Sequence, residues 1–119
     1  MKGLTFKLIA GTFVVLMSGC VSNNTQYHWG EYESLVYKGH VSPEEVPPIV
    51  QIDILEADIV KANAENKPVP PGVYAHLGLM YAAAGQKDLA LTSLTKEKEL
   101  FPESSAFIDG LIKRASDNK

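Results

Sequence analysis

The side chains able to do chemistry in this 119-residue chain are few and poorly matched to one another. His28, His40 and His76 show no ligand spacing, which would require two imidazoles one turn apart on a helix face with a third donor nearby. Carboxylates gather at Glu44 and Glu45, at Asp53, Glu56 and Asp58, and at Glu97 and Glu99. Acid–base catalysis needs two such groups held in contrasting environments, whereas clusters on amphipathic helices read as solvated faces. Ser34, Ser93 and Ser104 lack the glycine-flanked turn that presents a nucleophile. The chain therefore reads as a non-enzyme without metal or cofactor. One reactive group is left, Cys20, and as the only cysteine it excludes an intrachain disulfide.

What precedes Cys20 suggests its use. Lys2 and Lys7 lead into an apolar run from Leu8 to Met17, about half the length that spanning some 30 Å of hydrocarbon requires. Residues 1–19 read as a removable signal peptide. The stretch Leu16-Met17-Ser18-Gly19-Cys20 resembles the bacterial lipobox, with Met17 in place of the usual leucine. Small Ser18 and Gly19 let a lipid-transferring enzyme and a peptidase close around an extended backbone. The resemblance implies a covalent lipid of three acyl chains on Cys20. Each buried methylene is worth about 0.8 kcal/mol, so three chains exceed the two signals that stable anchoring needs. Val21, not aspartate, follows the cysteine, and by the same family rule this implies the outer membrane, with the domain facing the periplasm. An ordinary secretory signal followed by an incidental or buried thiol is the competing reading.

The elements that must position everything else follow from composition and periodicity. Eleven basic against 14 acidic residues give −3, and loss of Lys2 and Lys7 with the signal makes the mature chain more acidic. With Lys113-Arg114 as the only adjacent basic pair, nucleic acid is excluded as a partner. Residues 20–26 read as a polar tether, and residues 27–119 as one small domain whose thin core leaves room for a partner. Tyr27 to Tyr37 is dense in aromatics at helical spacing and predicts a short helix ended by Gly39. Ser42-Pro43-Glu44-Glu45 reads as a capping box, interrupted by Pro47 and Pro48. Ile52, Leu55, Ile59 and Ala62 recur every three or four positions and predict an amphipathic helix. Pro68, Pro70, Pro71 and Gly72 then form a stiff loop. No alternating strand pattern competes, so the fold class is all-α.

Tyr74-x-x-Leu77-Gly78-x-x-Tyr81, Gly85, Ala90-x-x-x-Leu94 and Pro102 resemble the tetratricopeptide repeat, with Tyr for its Trp and Leu for its Phe. The resemblance implies an antiparallel hairpin of helices near 72–84 and 87–100, within a repeat core of about 71–104. Gly78 and Ala90 stand where the helices cross, and Tyr74, Leu77 and Tyr81 line the interior. Glu97 departs from the pattern, occupying a position where a small residue usually packs, and reads as weakened packing or a solvent-facing edge. The 49–62 helix flanks the hairpin. A final helix carrying Phe107, Ile108, Leu111, Ile112 and Ala115 caps it.

Together with the Tyr27-x-Trp29-Gly30-x-Tyr32 opening, the Pro70-Pro71-Gly72-x-Tyr74-Ala75 junction and the run Glu97-Lys98-x-x-x-Phe101-Pro102-Glu103-Ser104, these features resemble a family of small bacterial lipoproteins of unknown function. That resemblance implies no catalytic residues. It implies a shared assembly with lipoproteins related to the curli secretion channel. The expected role is a protein-binding scaffold or accessory subunit of an envelope complex; a regulator of a cell-wall enzyme and a small hydrolase are the rival readings. Trp29, Tyr32 and Tyr37 either fill the thin core or present anchors to a partner, since Trp and Tyr dominate interface hot spots. If the hairpin carries a groove, Tyr74, His76, Met80 and Gln86 are its expected lining.

Overall fold

Prolines and turn residues punctuate the chain, and helices fill the intervals. The computed structural model describes residues 25–117; the signal peptide and Cys20 lie outside them, as does most of the tether. Among the described residues the protein is all-α: α1 (Tyr32–Val41), α2 (Pro48–Ala64), α3 (Val73–Ala83), α4 (Lys87–Leu100) and α5 (Ser105–Asp117), with 3-10 turns at Pro43–Glu45 and Pro102–Ser104. No helix among the described residues is long and apolar enough to cross a membrane.

The boundaries have local causes. Pro47 is extended and Pro48 opens α2 at its first position, where a missing N–H costs nothing. Two helices end alike: the Lys67 N–H donates to the Ala62 carbonyl past Asn66 (φ 53°), and the Gln86 N–H donates to the Tyr81 carbonyl past Gly85 (φ 77°). Both are Schellman closures, built on the residue types that best tolerate the left-handed region. The first helix differs from its predicted span. Residues 27–31 stay outside it because the Glu31 N–H is taken by Asp58 Oδ2 at 2.7 Å, and the helix runs through Gly39 to Val41. Ser42, held non-helical (φ −147°) before Pro43, ends it instead. The expected capping box makes one 3-10 turn with no side-chain cap, since Pro47 follows too soon for a helix.

α3 lies at the centre of the fold. Val73, Leu77 and Tyr81 join Leu35, Ile52 and Leu55 in the main core with α1 and α2. Ala75 turns the other way, into a second cluster with Leu94 and Ile108, which brings in α4 and α5. A helix apolar on both flanks has to be sandwiched, and α3 makes its main contacts with α2 and α4. α5 covers the far side through Ile108, fully buried, while Phe107 beside it stays 61% exposed. Lys98 and Asp109 bridge α4 and α5 at 2.7 Å, an exposed pair worth at most about 1 kcal/mol.

Candidate functional site

The segment before α1 is strapped onto the body of the domain. The His28 N–H donates to the Pro68 carbonyl at 3.2 Å, and His28 Nδ1 lies 2.9 Å from Glu65 Oε2. These bonds, with Asp58 on Glu31, fix a file of rings. Tyr27 meets Trp29 edge-on at 6.2 Å, Trp29 stacks with Tyr32 at 6.5 Å, and Tyr32 meets the His76 ring edge-on at 5.9 Å. Such pairs add about 0.5–1.5 kcal/mol each beyond their buried area. Trp29, Tyr32 and His76 are thus brought together in one row that runs from the half-buried entry of the chain inward to α3.

Beneath Tyr32 sits a carboxylate that the sequence pattern assigned to an edge. Glu97 is 3% exposed, and its two oxygens accept the N–H groups of Gly72 (2.6 Å) and Ala75 (3.2 Å). Those are donors of the first turn of α3, which lacks any cap from its own sequence. α4 therefore supplies the anion that a helix N-terminus attracts. Gly72 is in the left-handed region (φ 95°), and a Cβ there would stand 2.8 Å from the Tyr32 hydroxyl oxygen. Burial, and then the charge of Glu97, raise the Tyr32 phenol above its ordinary range. The expectation of a solvent-facing edge at Glu97 is corrected: the larger side chain packs there because it satisfies two backbone donors.

A second polar chain closes the row. Gln51, itself buried, donates from Nε2 to the Val46 carbonyl at 2.6 Å, which turns its Oε1 toward His76 Nε2 at 2.7 Å. The network assigns the His76 proton to Nε2. Burial pushes the His76 pKa below the ordinary 6.5, so the folded protein favours the neutral ring. The unfolded chain then binds more protons, and stability present above pH 6.5 is lost as pH falls through the lower folded value. Urea unfolding at stepped pH is expected to show this acid slope in wild type and a shallower one in His76→Gln; equal slopes would place the acid sensitivity elsewhere.

The remaining expected residues are dispersed. Tyr37 is 67% exposed on α1, away from the ring file. Tyr74 borders two shallow grooves, one along α4 with Leu91 and Lys96, the other with Tyr27 and Phe101. Met80 packs against the main core, and Gln86 lies in a depression at the α3–α4 turn. The expected groove lining of Tyr74, His76, Met80 and Gln86 is thus dispersed among the described residues, with His76 in the ring row, because α3 is sandwiched and only its rims reach solvent. Sequence reasoning missed Gln51, Asp58, Glu65 and Glu97 as the residues that hold the row. It also missed Glu56, which accepts the buried Tyr81 hydroxyl; burial and that bond push the phenol to about 12. Only Glu97 carried a signal, its departure from the repeat pattern.

Fold and site together define a small helical module in which an aromatic entry segment is tied by hydrogen bonds to α2 and the loop after it, and by ring contact to α3. The chain belongs to the family described as Domain of unknown function (DUF4810), which matches residues 26–111 and so spans the entry segment through most of α5. Comparison with curated proteins and with solved structures gives no match.

Proposed function

We propose that the protein is a lipoprotein held at the periplasmic face of the outer membrane through Cys20, and that it acts by binding other envelope proteins as a scaffold or accessory subunit, without turnover. The observation that carries this reading is the sole cysteine, placed directly after a short apolar run and two small residues. α3 and α4, joined by three residues and crossing at Gly78 and Ala90, support a tetratricopeptide-like hairpin flanked by α2 and capped by α5. Tyr37 and Val41, one turn apart on α1 and both more than half exposed, supply apolar area that a partner could cover. A partner related to the curli secretion channel follows from the family resemblance.

Growth with a radioactive fatty acid is expected to label the wild type and leave Cys20→Ala unlabelled, with that variant lost from the outer-membrane fraction. Crosslinking in intact cells should then recover an envelope protein with the wild type and less of it with Cys20→Ala. Equal labelling of both chains would refute the anchor, and a labelled chain that crosslinks to no protein would refute the scaffold.

A further inference from the structure

The chain enters the described domain at one end of an open groove of about 330 Å³, lined by Gln26, Tyr27, Tyr74, Lys96, Leu100 and Phe101 among others. Asn63 of α2 also borders it, and Val60, one turn back on the same helical face, is 68% exposed; Leu100 is 45% exposed. This rim is apolar and aromatic but carries little net charge. Lys96 is neutralised by Glu99 at 3.6 Å, and Lys67, next to the Pro68 that borders the groove, by Glu65 at 3.9 Å. Cys20 precedes Gln26 by six residues, which at about 3.3–3.6 Å per residue reach roughly 20 Å at most.

We infer that this face rests on the lipid bilayer, with Val60, Tyr27 and Leu100 set into the headgroup–acyl boundary. The inference depends on the lipid anchor of the preceding section. A tether this short holds the groove beside the membrane at high effective concentration, which no freely diffusing partner matches. Tyr27 has the apolar body and polar tip suited to that boundary, and the long stem of Lys96 can lie along the apolar surface with its charge in water. Because the rim charges are paired, apolar insertion drives the contact, not attraction to anionic lipid. α5, with its exposed Phe107, packs on the far side of the α3–α4 pair from α2 and is left for protein partners.

The sole thiol and the sole tryptophan make the test direct. The chain from Cys20 onward, which contains every described residue, is coupled through that thiol to vesicles of phosphatidylcholine carrying a maleimide lipid, with or without phosphatidylglycerol. The acyl chains are brominated to quench nearby tryptophan. Trp29, 6.2 Å from Tyr27 between ring centres, is expected to be quenched and blue-shifted in the wild type, equally in both compositions. Val60→Asp combined with Leu100→Asp, both at exposed positions, is expected to keep the wild-type circular-dichroism melt and to lose the quenching. Three results would overturn the inference: unquenched wild type, a double variant quenched as strongly as wild type, or quenching that appears only with phosphatidylglycerol. If the wild type is unquenched and these residues instead crosslink to an envelope protein in cells, the face is a protein interface. Chemical coupling does not depend on cellular acylation, so failure of the fatty-acid label would sink the anchor while leaving the vesicle result to stand on its own.

Discussion

Replacing Glu97 with alanine is expected to destabilise the domain by about 2–4 kcal/mol, because it strands one buried and one half-buried backbone donor and removes a charge favoured by a helix N-terminus. The Gly72 and Ala75 N–H groups, at 2.6 and 3.2 Å from the carboxylate, have no other partner among the described residues, and Ala75 is buried while Gly72 is half-buried beside the Tyr32 hydroxyl. For a domain of this size the loss corresponds to roughly 10–25 °C in Tm. Glu97→Gln should fall between, since one amide oxygen still accepts while the amide nitrogen faces a second donor. Glu99→Ala, two residues on and with its side chain 61% exposed, is the control and should stay within about 0.5 kcal/mol. The phenol of Tyr32 reports the same change: without the Glu97 charge its titration should move back toward its ordinary range, though not all the way, because burial is the larger cause. If Glu97→Ala melts with the wild type, the carboxylate is not a cap.

That carboxylate also shows where sequence reading stops. Helix spans were legible where a proline or glycine fixed the end by local sterics, as at Pro48 and Gly85, whereas the left-handed Asn66 that closes α2 carried no expectation. Core positions were legible in α2, where Ile52, Leu55 and Ala62 are buried as their spacing predicts. The start of α1 was not, because it depends on Asp58, 27 positions away, taking the Glu31 N–H. Nor were Gln51, Glu65 and Glu97 as organisers of the aromatic row, since a polar residue on a helix looks solvated until its partner across the fold is known. Trp29, Tyr32 and His76 were legible as residue types; their alignment in one row is tertiary. Within that row, Tyr32 joins the two readings of the aromatic segment: it packs against the main core while its stacked neighbour Trp29 remains half exposed.

The crossing of α3 and α4 is expected to tolerate no side chain at residue 78. A Cβ there would lie 2.8 Å from Leu94 Cγ, 3.0 Å from its Cδ2 and 3.1 Å from the Ala90 carbonyl oxygen. Leu94 cannot step aside, because it is 2% exposed and packed with Ala75 and Ile108, and a backbone carbonyl moves only with its helix. Gly78→Leu must therefore push the hairpin apart, at the upper end of the about 1–3 kcal/mol that overpacking costs, or beyond it. Gly78→Ala isolates the steric part. Helix propensity alone would favour alanine by about 1 kcal/mol, so any net loss of stability comes from the clash. Gly110 supplies the opposite case on α5: a Cβ there meets nothing within 4 Å, and Gly110→Ala should raise stability by up to about 1 kcal/mol. Chemical unfolding of the three variants beside wild type reads these signs directly. A Gly78→Ala chain as stable as Gly110→Ala would mean that the helices do not cross at Gly78. The consequence extends to the aromatic row, because Glu97 reaches the first turn of α3 only while α4 lies this close; Gly78→Leu should therefore loosen Tyr32 and expose Trp29 as it lowers the melting temperature.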